Sequence, residues 1–251
     1  MKNFLIVGTQ RTGSSAIAEA LSFHPMISCG WEWTQDVLWH RKLSVAKRAL
    51  TGYFEVLSEK DRAHMVKTFN PKGKWLGFRR LFRASNKWII HPRFSPALWM
   101  DRFEEHLKWI AMRDDIHIIH VVRNNNLAWL RSKFMSRKTN LYVGKRYPEG
   151  VKIYVPVKDA VARVRSKKWV DDRLASLAAT NPYLCINYEQ FVMNEPDVVA
   201  QAFHLLGCEW NGSVRGEHKV TPQSVCSVNE QVANYDDLVL ALQRENLLES
   251  A

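Results

Sequence analysis

Apolar positions gather in three short runs, each ending abruptly in polar residues. Phe4-Leu-Ile-Val7 leads straight into Gly8-Thr-Gln-Arg-Thr-Gly-Ser-Ser15. Ile116-His-Ile-Ile-His-Val-Val122 stops at Arg123, and Tyr183-Leu-Cys-Ile-Asn187 stops at Tyr188. Runs this short and this rich in β-branched residues predict strands covered on both faces, as in a parallel sheet. A shorter segment, Trp75-Leu-Gly-Phe78, predicts a fourth strand. Helical stretches are predicted between them, over residues 16–22, 95–112, 127–137, 158–179 and 197–206. Strands alternating with helices predict an α/β fold of three layers, a central and mostly parallel sheet flanked by helices. Ligands then belong at the carboxyl ends of the strands, where the 8–15 loop and Arg123 both stand. No repeat or low-complexity linker interrupts the 251 residues, so residues 1–251 read as a single domain.

The 8–15 loop carries the first chemistry. Its spacing, Gly8-x-x-x-x-Gly13-x-Ser15, fits the phosphate-binding pattern G-x-x-x-x-G-K-[ST] at every position but one, because Ser14 stands where lysine is usual. A glycine-flanked turn at a helix N-terminus aims several backbone N–H groups, and the positive end of the helix dipole, at one point. A phosphate-like anion is therefore expected there. Arg11 is the loop's cation, and the hydroxyls of Thr12, Ser14 and Ser15 are further donors. The plainer reading is a strand–helix turn with no ligand.

Composition narrows the class. Four cysteines, Cys29, Cys185, Cys208 and Cys226, lack the spacing of a zinc site or a disulfide framework and fit reduced thiols in a cytoplasmic protein. No signal peptide or membrane-length apolar run is visible. The net charge of +11 is unevenly spread: residues 41–93 hold 14 Lys/Arg against 3 Asp/Glu, residues 131–168 hold 12 against 2, and residues 171–251 hold 4 against 12. Such stretches can line a cleft for a polyanionic cofactor or an acidic acceptor, or form a solvated basic surface. No nucleic-acid-binding signature accompanies them. Seven of the ten tryptophans lie between Trp31 and Trp109, suited either to stacking on a sugar or planar ligand or to helix packing. Glu32, soon after the loop's helix, can serve as a general base if the second strand returns beside the first; taken alone it reads as a surface or salt-bridge carboxylate.

Several segments, in order, resemble those of sulfotransferases that use 3′-phosphoadenylyl sulfate (PAPS). Arg11-Thr-Gly-Ser-Ser15 followed by His24-Pro25 resembles their 5′-phosphosulfate loop. Ile118-Ile-His-Val-Val-Arg123 followed by Ser132 resembles their 3′-phosphate motif. Ile186-Asn-Tyr188-Glu189-Gln-Phe, Asn194-Glu-Pro196 and Leu205-Leu-Gly207 resemble the Tyr-Glu-Asp-Leu…Pro…Leu-Gly stretch. Lys219-Val-Thr-Pro222, Asn234-Tyr235 and Gly77-Phe78-Arg79 are similar to segments of the bacterial carbohydrate branch. Arg11, in place of the lysine of cytosolic small-molecule enzymes, agrees with the carbohydrate and tyrosyl-protein branches. Asn124-Asn125-Asn126 departs from the more usual charged residues, and residues 35–115 follow the family only at 77–79.

The resemblance implies a P-loop-like sulfotransferase fold and a partner for each anionic part of PAPS. Arg11, Thr12, Gly13, Ser14 and Ser15 would take the 5′-phosphate and sulfonate. Arg123 and Ser132 would hold the 3′-phosphate, and Lys219 would close over the cofactor. Arg11 and Glu32 are the implied catalytic residues, with His24, His120 and Glu55 as lesser candidates for the base. The product would be PAP, no metal would be required, and residues 35–115 would form a helical acceptor-binding region for a glycan or small molecule bearing a hydroxyl or amine. Two other functions compete: a nucleotide kinase or NTPase with a degenerate loop, and a non-catalytic anion or nucleic-acid binder. The kinase reading expects a loop lysine and an acidic Mg²⁺ ligand where this chain has Ser14 and Arg123.

Overall fold

A computed structural model describes residues 3–24, 27–30, 75–82, 103–104, 107–141, 146–209 and 226–248, with backbone alone for residues 3, 28–30 and 75–82. Five strands form one sheet: β1 (Asn3–Thr9), β2 (Ile27–Gly30), β3 (Trp75–Phe82), β4 (Ile116–Val122) and β5 (Tyr183–Asn187). Their order is β2-β3-β1-β4-β5, and every pairing is parallel. The second strand thus does not return beside the first; β3 lies between them. Its pairing with β1 runs from Asn3↔Leu76 to Thr9↔Phe82, beyond the predicted Trp75–Phe78, through Arg79 and Arg80.

The apolar runs of β1 and β4 divide by alternation. Phe4, Ile6, Ile119 and Val121 face one side of the sheet, where they pack with Ile17, Ala20 and Leu21 of α1 (Ser14–Ser22). Leu5, Val7, Ile116 and Ile118 face the other side, against Val170 and Leu174 of α3 (Val157–Ala175) and against Phe103, Leu107 and Ile110. Residues 103–104 and 107–111, where described, are helical, within the predicted 95–112 stretch. All eight strand side chains named here are at most 2 % exposed, as the period-2 pleat requires when both faces are covered.

α2 (Asn126–Thr139) follows β4 and starts on Asn125, whose side chain accepts from the Ala128 N–H at 2.8 Å. A 3₁₀ turn (Ser176–Ala179) carries the predicted 158–179 helix to its end. After β5 come α4 (Tyr188–Met193) and α5 (Glu195–Leu206), with α5 joining α1 on its face of the sheet. α6 (Val228–Gln231) and α7 (Tyr235–Arg244) complete the described helices. A third apolar cluster, built around Trp129, Ile153, Val164, Leu238 and Leu242, joins α2, the start of α3 and α7. No helix among the described residues is long and apolar enough to cross a membrane.

Candidate functional site

The strand order reverses direction between β1 and β4, so the crevice at their carboxyl ends is the natural ligand position of this sheet. The β1–α1 turn fills it. Arg11 (φ 74°) and Gly13 (φ 89°) are both left-handed and bracket Thr12. The turn wraps tightly: Thr12 Oγ1 donates to the Thr9 carbonyl at 2.8 Å, so this hydroxyl is consumed within the loop and leaves Thr12 its N–H as the outward donor. Ser14 opens α1 and is buried, and the Ala16 and Ile17 N–H groups both donate to the Gly13 carbonyl, at 2.9 and 3.2 Å.

Both loop glycines answer to close packing. A Cβ on Gly8 would lie 2.5 Å from the Val121 carbonyl oxygen across the sheet, and one on Gly13 would lie 2.1 Å from the Tyr188 ring. Tyr188, the first residue of α4, therefore closes one side of the turn.

α2 holds the other side. Trp129 Nε1 donates to the Gln10 carbonyl at 2.8 Å, and one turn on, the Ser132 hydroxyl accepts from Arg11 Nε at 3.0 Å. These positions share a helix face by their i, i+3 spacing. Arg11 Nη2 donates to the Tyr147 hydroxyl at 3.0 Å, and Tyr147 donates to the Ser132 carbonyl at 3.2 Å. Tyr147 lacks any local signal; its link to Arg11 spans 136 positions.

Arg123 comes off the end of β4 into the same crevice. Its Nη1 donates to the Arg11 carbonyl at 3.3 Å, and its guanidinium carbon lies 4.8 Å over the Tyr188 ring. Burial pushes its pKa down, opposed by Tyr188 and Glu189, while Arg131 and Arg11 add to the lowering. An arginine nonetheless stays charged at neutral pH. Glu189 Oε1 is 3.9 Å from Arg123 Nε, and the carboxylate also accepts from the Asn124 and Asn125 N–H groups at 3.1 Å each. Among the described residues Arg123 Nη2 has no hydrogen-bond partner.

Arg11, Thr12, Gly13, Ser14, Ser15, Arg123 and Ser132 are thus brought to one crevice by β1, β4 and α2. Glu32, Lys219 and Glu55 lie outside the described residues. His24 packs on Phe203, with ring centroids 4.7 Å apart and Nε2 3.0 Å from the Glu209 carbonyl oxygen. His120 is buried on the α3 side of β4, 2.7 Å from the Tyr183 hydroxyl through Nδ1. Among the described residues no three His, Cys, Asp or Glu side chains are grouped to hold a metal ion, and no disulfide joins Cys185, Cys208 and Cys226 to one another.

A family model described as "Sulfotransferase family" matches residues 3–212. The chain belongs to the sulfotransferase family. Membership makes it a transferase of sulfuryl groups and gives the parallel sheet with its P-loop-like turn a family setting. Solved structures similar to this sulfotransferase include a sulfotransferase from Alicyclobacillus acidocaldarius, at 16 % identity and TM-score 0.44, covering 99 % of this chain and 96 % of that one. The sulfotransferase domain from the curacin biosynthetic pathway is 12 % identical with TM-score 0.46, covering 98 % and 93 %. The sulfotransferase domain of the Synechococcus PCC 7002 olefin synthase is 15 % identical with TM-score 0.44, covering 100 % and 91 %. No curated protein matches the chain in sequence.

Proposed function

We propose that this sulfotransferase draws its sulfuryl group from PAPS and passes it to a hydroxyl or amine of a glycan or small-molecule acceptor. The observation that carries the reading is the 3.3 Å bond from Arg123 to the Arg11 carbonyl, which sets a second cation beside the phosphate-type loop. A donor with a phosphosulfate and a separate 3′-phosphate calls for two such sites. The donor set suits it: two guanidiniums and a row of amides match phosphate and sulfonate oxygens, and Arg123 spends only Nη1 on a hydrogen bond to the described residues, its buried Nε having none.

In this reading the amides of residues 11–15 and the Arg11 guanidinium take the 5′-phosphosulfate, and Arg123 with the Ser132 hydroxyl takes the 3′-phosphate. Ser132 can do so while accepting from Arg11, because a hydroxyl donates one hydrogen bond as well as accepting. Lys219 closes over the cofactor. Bound PAPS supplies a sulfuryl group whose bond to the 5′-phosphate oxygen breaks as the bond to the acceptor forms, leaving PAP. Arg11 and the loop amides stabilise the charge that gathers on the departing oxygen, a contribution made by position and electrostatics. Glu32 takes the acceptor's proton, a role that rests on the family resemblance alone, since β3 and not β2 lies beside β1. No metal enters the scheme. We place the enzyme in the cytoplasm as a single domain over residues 1–251, with residues 35–115 forming the acceptor region, which is not helical throughout because β3 (Trp75–Phe82) lies within it.

Transfer of labelled sulfate from PAPS across a panel of glycans and small hydroxyl and amine compounds tests the reading. Glu32→Gln is expected to lower turnover by about 10²–10⁴-fold with PAP binding unchanged. Turnover equal to that of the unmodified enzyme removes Glu32 from the mechanism. Arg11→Ala is expected to lower both binding and turnover, and Arg123→Ala chiefly to weaken PAP binding; full PAP affinity in Arg123→Ala contradicts the 3′-phosphate assignment.

A further inference from the structure

We infer that Glu189 is a positioning residue for Arg123, holding its guanidinium so that Nη2 faces the 3′-phosphate of the ligand. The inference rests on the PAPS reading above and adds a residue to which that reading gave no task.

Glu189 is the second residue of α4, directly beyond the end of β5, and the residues it grips lie directly beyond the end of the neighbouring β4. One carboxylate oxygen accepts from the Asn124 N–H and the other from the Asn125 N–H, both at 3.1 Å. The oxygen that meets Asn125 also lies 3.9 Å from Arg123 Nε. A single side chain therefore engages residues 123, 124 and 125 in succession. The amides it takes are at the N-terminal end of the 14-residue helix α2, where an anion is favoured by the helix dipole.

The grip matters because of where Arg123 sits. Its side chain is 13 % exposed, and its Nε is buried without a hydrogen bond. Arg11 and Arg131 both act on it as like charges, and Glu189 supplies the opposing carboxylate. A guanidinium so far from water needs a counter-charge to remain in place. Three restraints fix its plane: the Arg11 carbonyl at Nη1, the Tyr188 ring beneath it, and Glu189 beside Nε. Nη2 remains for a ligand. The carboxylate's repulsion of a nearby phosphate is blunted because both its oxygens already accept from amides. Orientation of Arg123 then outweighs repulsion, and loss of Glu189 weakens binding of the 3′-phosphate selectively.

The test is calorimetric titration of the full chain with PAP and with 5′-AMP, which lacks the 3′-phosphate. Glu189→Ala is expected to weaken PAP by about tenfold, the size of one well-placed charge-assisted contact, with AMP affinity unchanged. Glu189→Gln keeps the shape and one acceptor and is expected to recover part of that loss. If the alanine variant does not fold, the glutamine variant alone decides, through its ratio of PAP to AMP affinity. An unchanged ratio overturns the inference, and so does an equal loss of both ligands, which marks a merely structural role. Should the unmodified protein itself bind PAP no better than AMP, the PAPS reading fails and the role of Glu189 with it.

Discussion

Arg11 holds a left-handed backbone at φ 74°, a conformation that costs a residue with a Cβ about 1–2 kcal/mol. Its guanidinium meanwhile reaches two hydroxyls at once, Ser132 through Nε and Tyr147 through Nη2. A lysine carries the same charge without the planar fork that spans both. Tyr147→Phe removes one hydroxyl and leaves the ring in the core, so kcat/KM is expected to fall by about tenfold, as for one hydrogen bond to a charged group. Steady-state kinetics checks this, and an unchanged kcat/KM means that the Arg11 geometry does not depend on Tyr147. Gly13 is constrained from both directions, by φ 89° and by the Tyr188 ring 2.1 Å from where a Cβ would stand. Gly13→Ala is expected to lower stability by about 1–3 kcal/mol, read from the denaturant midpoint.

Among the elements, α2 ties the loop to the lobe beyond the sheet. Trp129 and Ser132 face the loop, while Leu130 and Met135 enter the cluster shared with α3 and α7. α7 is anchored in turn by Asn234, whose side chain accepts from the Val155 N–H at 3.1 Å and donates to the Val155 carbonyl at 2.9 Å, both buried. Asn234→Ala leaves both groups without a partner and is expected to cost about 1–3 kcal/mol in chemical denaturation. Loss of less than about 0.5 kcal/mol means water replaces the amide there. What the sequence made legible follows the same division. β1 and β4 could be read because burial on both faces writes a continuous apolar run. β5, last in the strand order with Cys185 exposed and Ile186 its one buried residue, is not covered on both faces as expected and could be read from its short apolar run alone. Ser132 could be read because it stands only nine positions after Arg123, on the helix that follows β4. The length of β3 could not, since Arg79 and Arg80 break its apolar run, and its place between β1 and β2 comes from long-range pairing. Tyr147 and the grip of Glu189 on residues 124–125 join positions 136 and 64–65 apart, beyond any local pattern.

At the scale of the whole molecule, the sheet order places one cationic group on each side of the β1–β4 crevice, the loop with Arg11 after β1 and Arg123 after β4. Apolar clusters on both faces of the sheet hold those strand ends in register. A protein of net charge +11 attracts any polyanion weakly, so affinity for nucleotides in general says little about this crevice. Discrimination between nucleotides says much more. The central claim is that the two cations serve a ligand with separate 5′ and 3′ phosphates and not a 5′-triphosphate. Calorimetric titration of the unmodified protein with PAP and with ATP, at one ionic strength, measures that choice directly. The account predicts PAP binding at about micromolar Kd, near −8 kcal/mol, with no ATP binding. ATP bound in preference to PAP contradicts it.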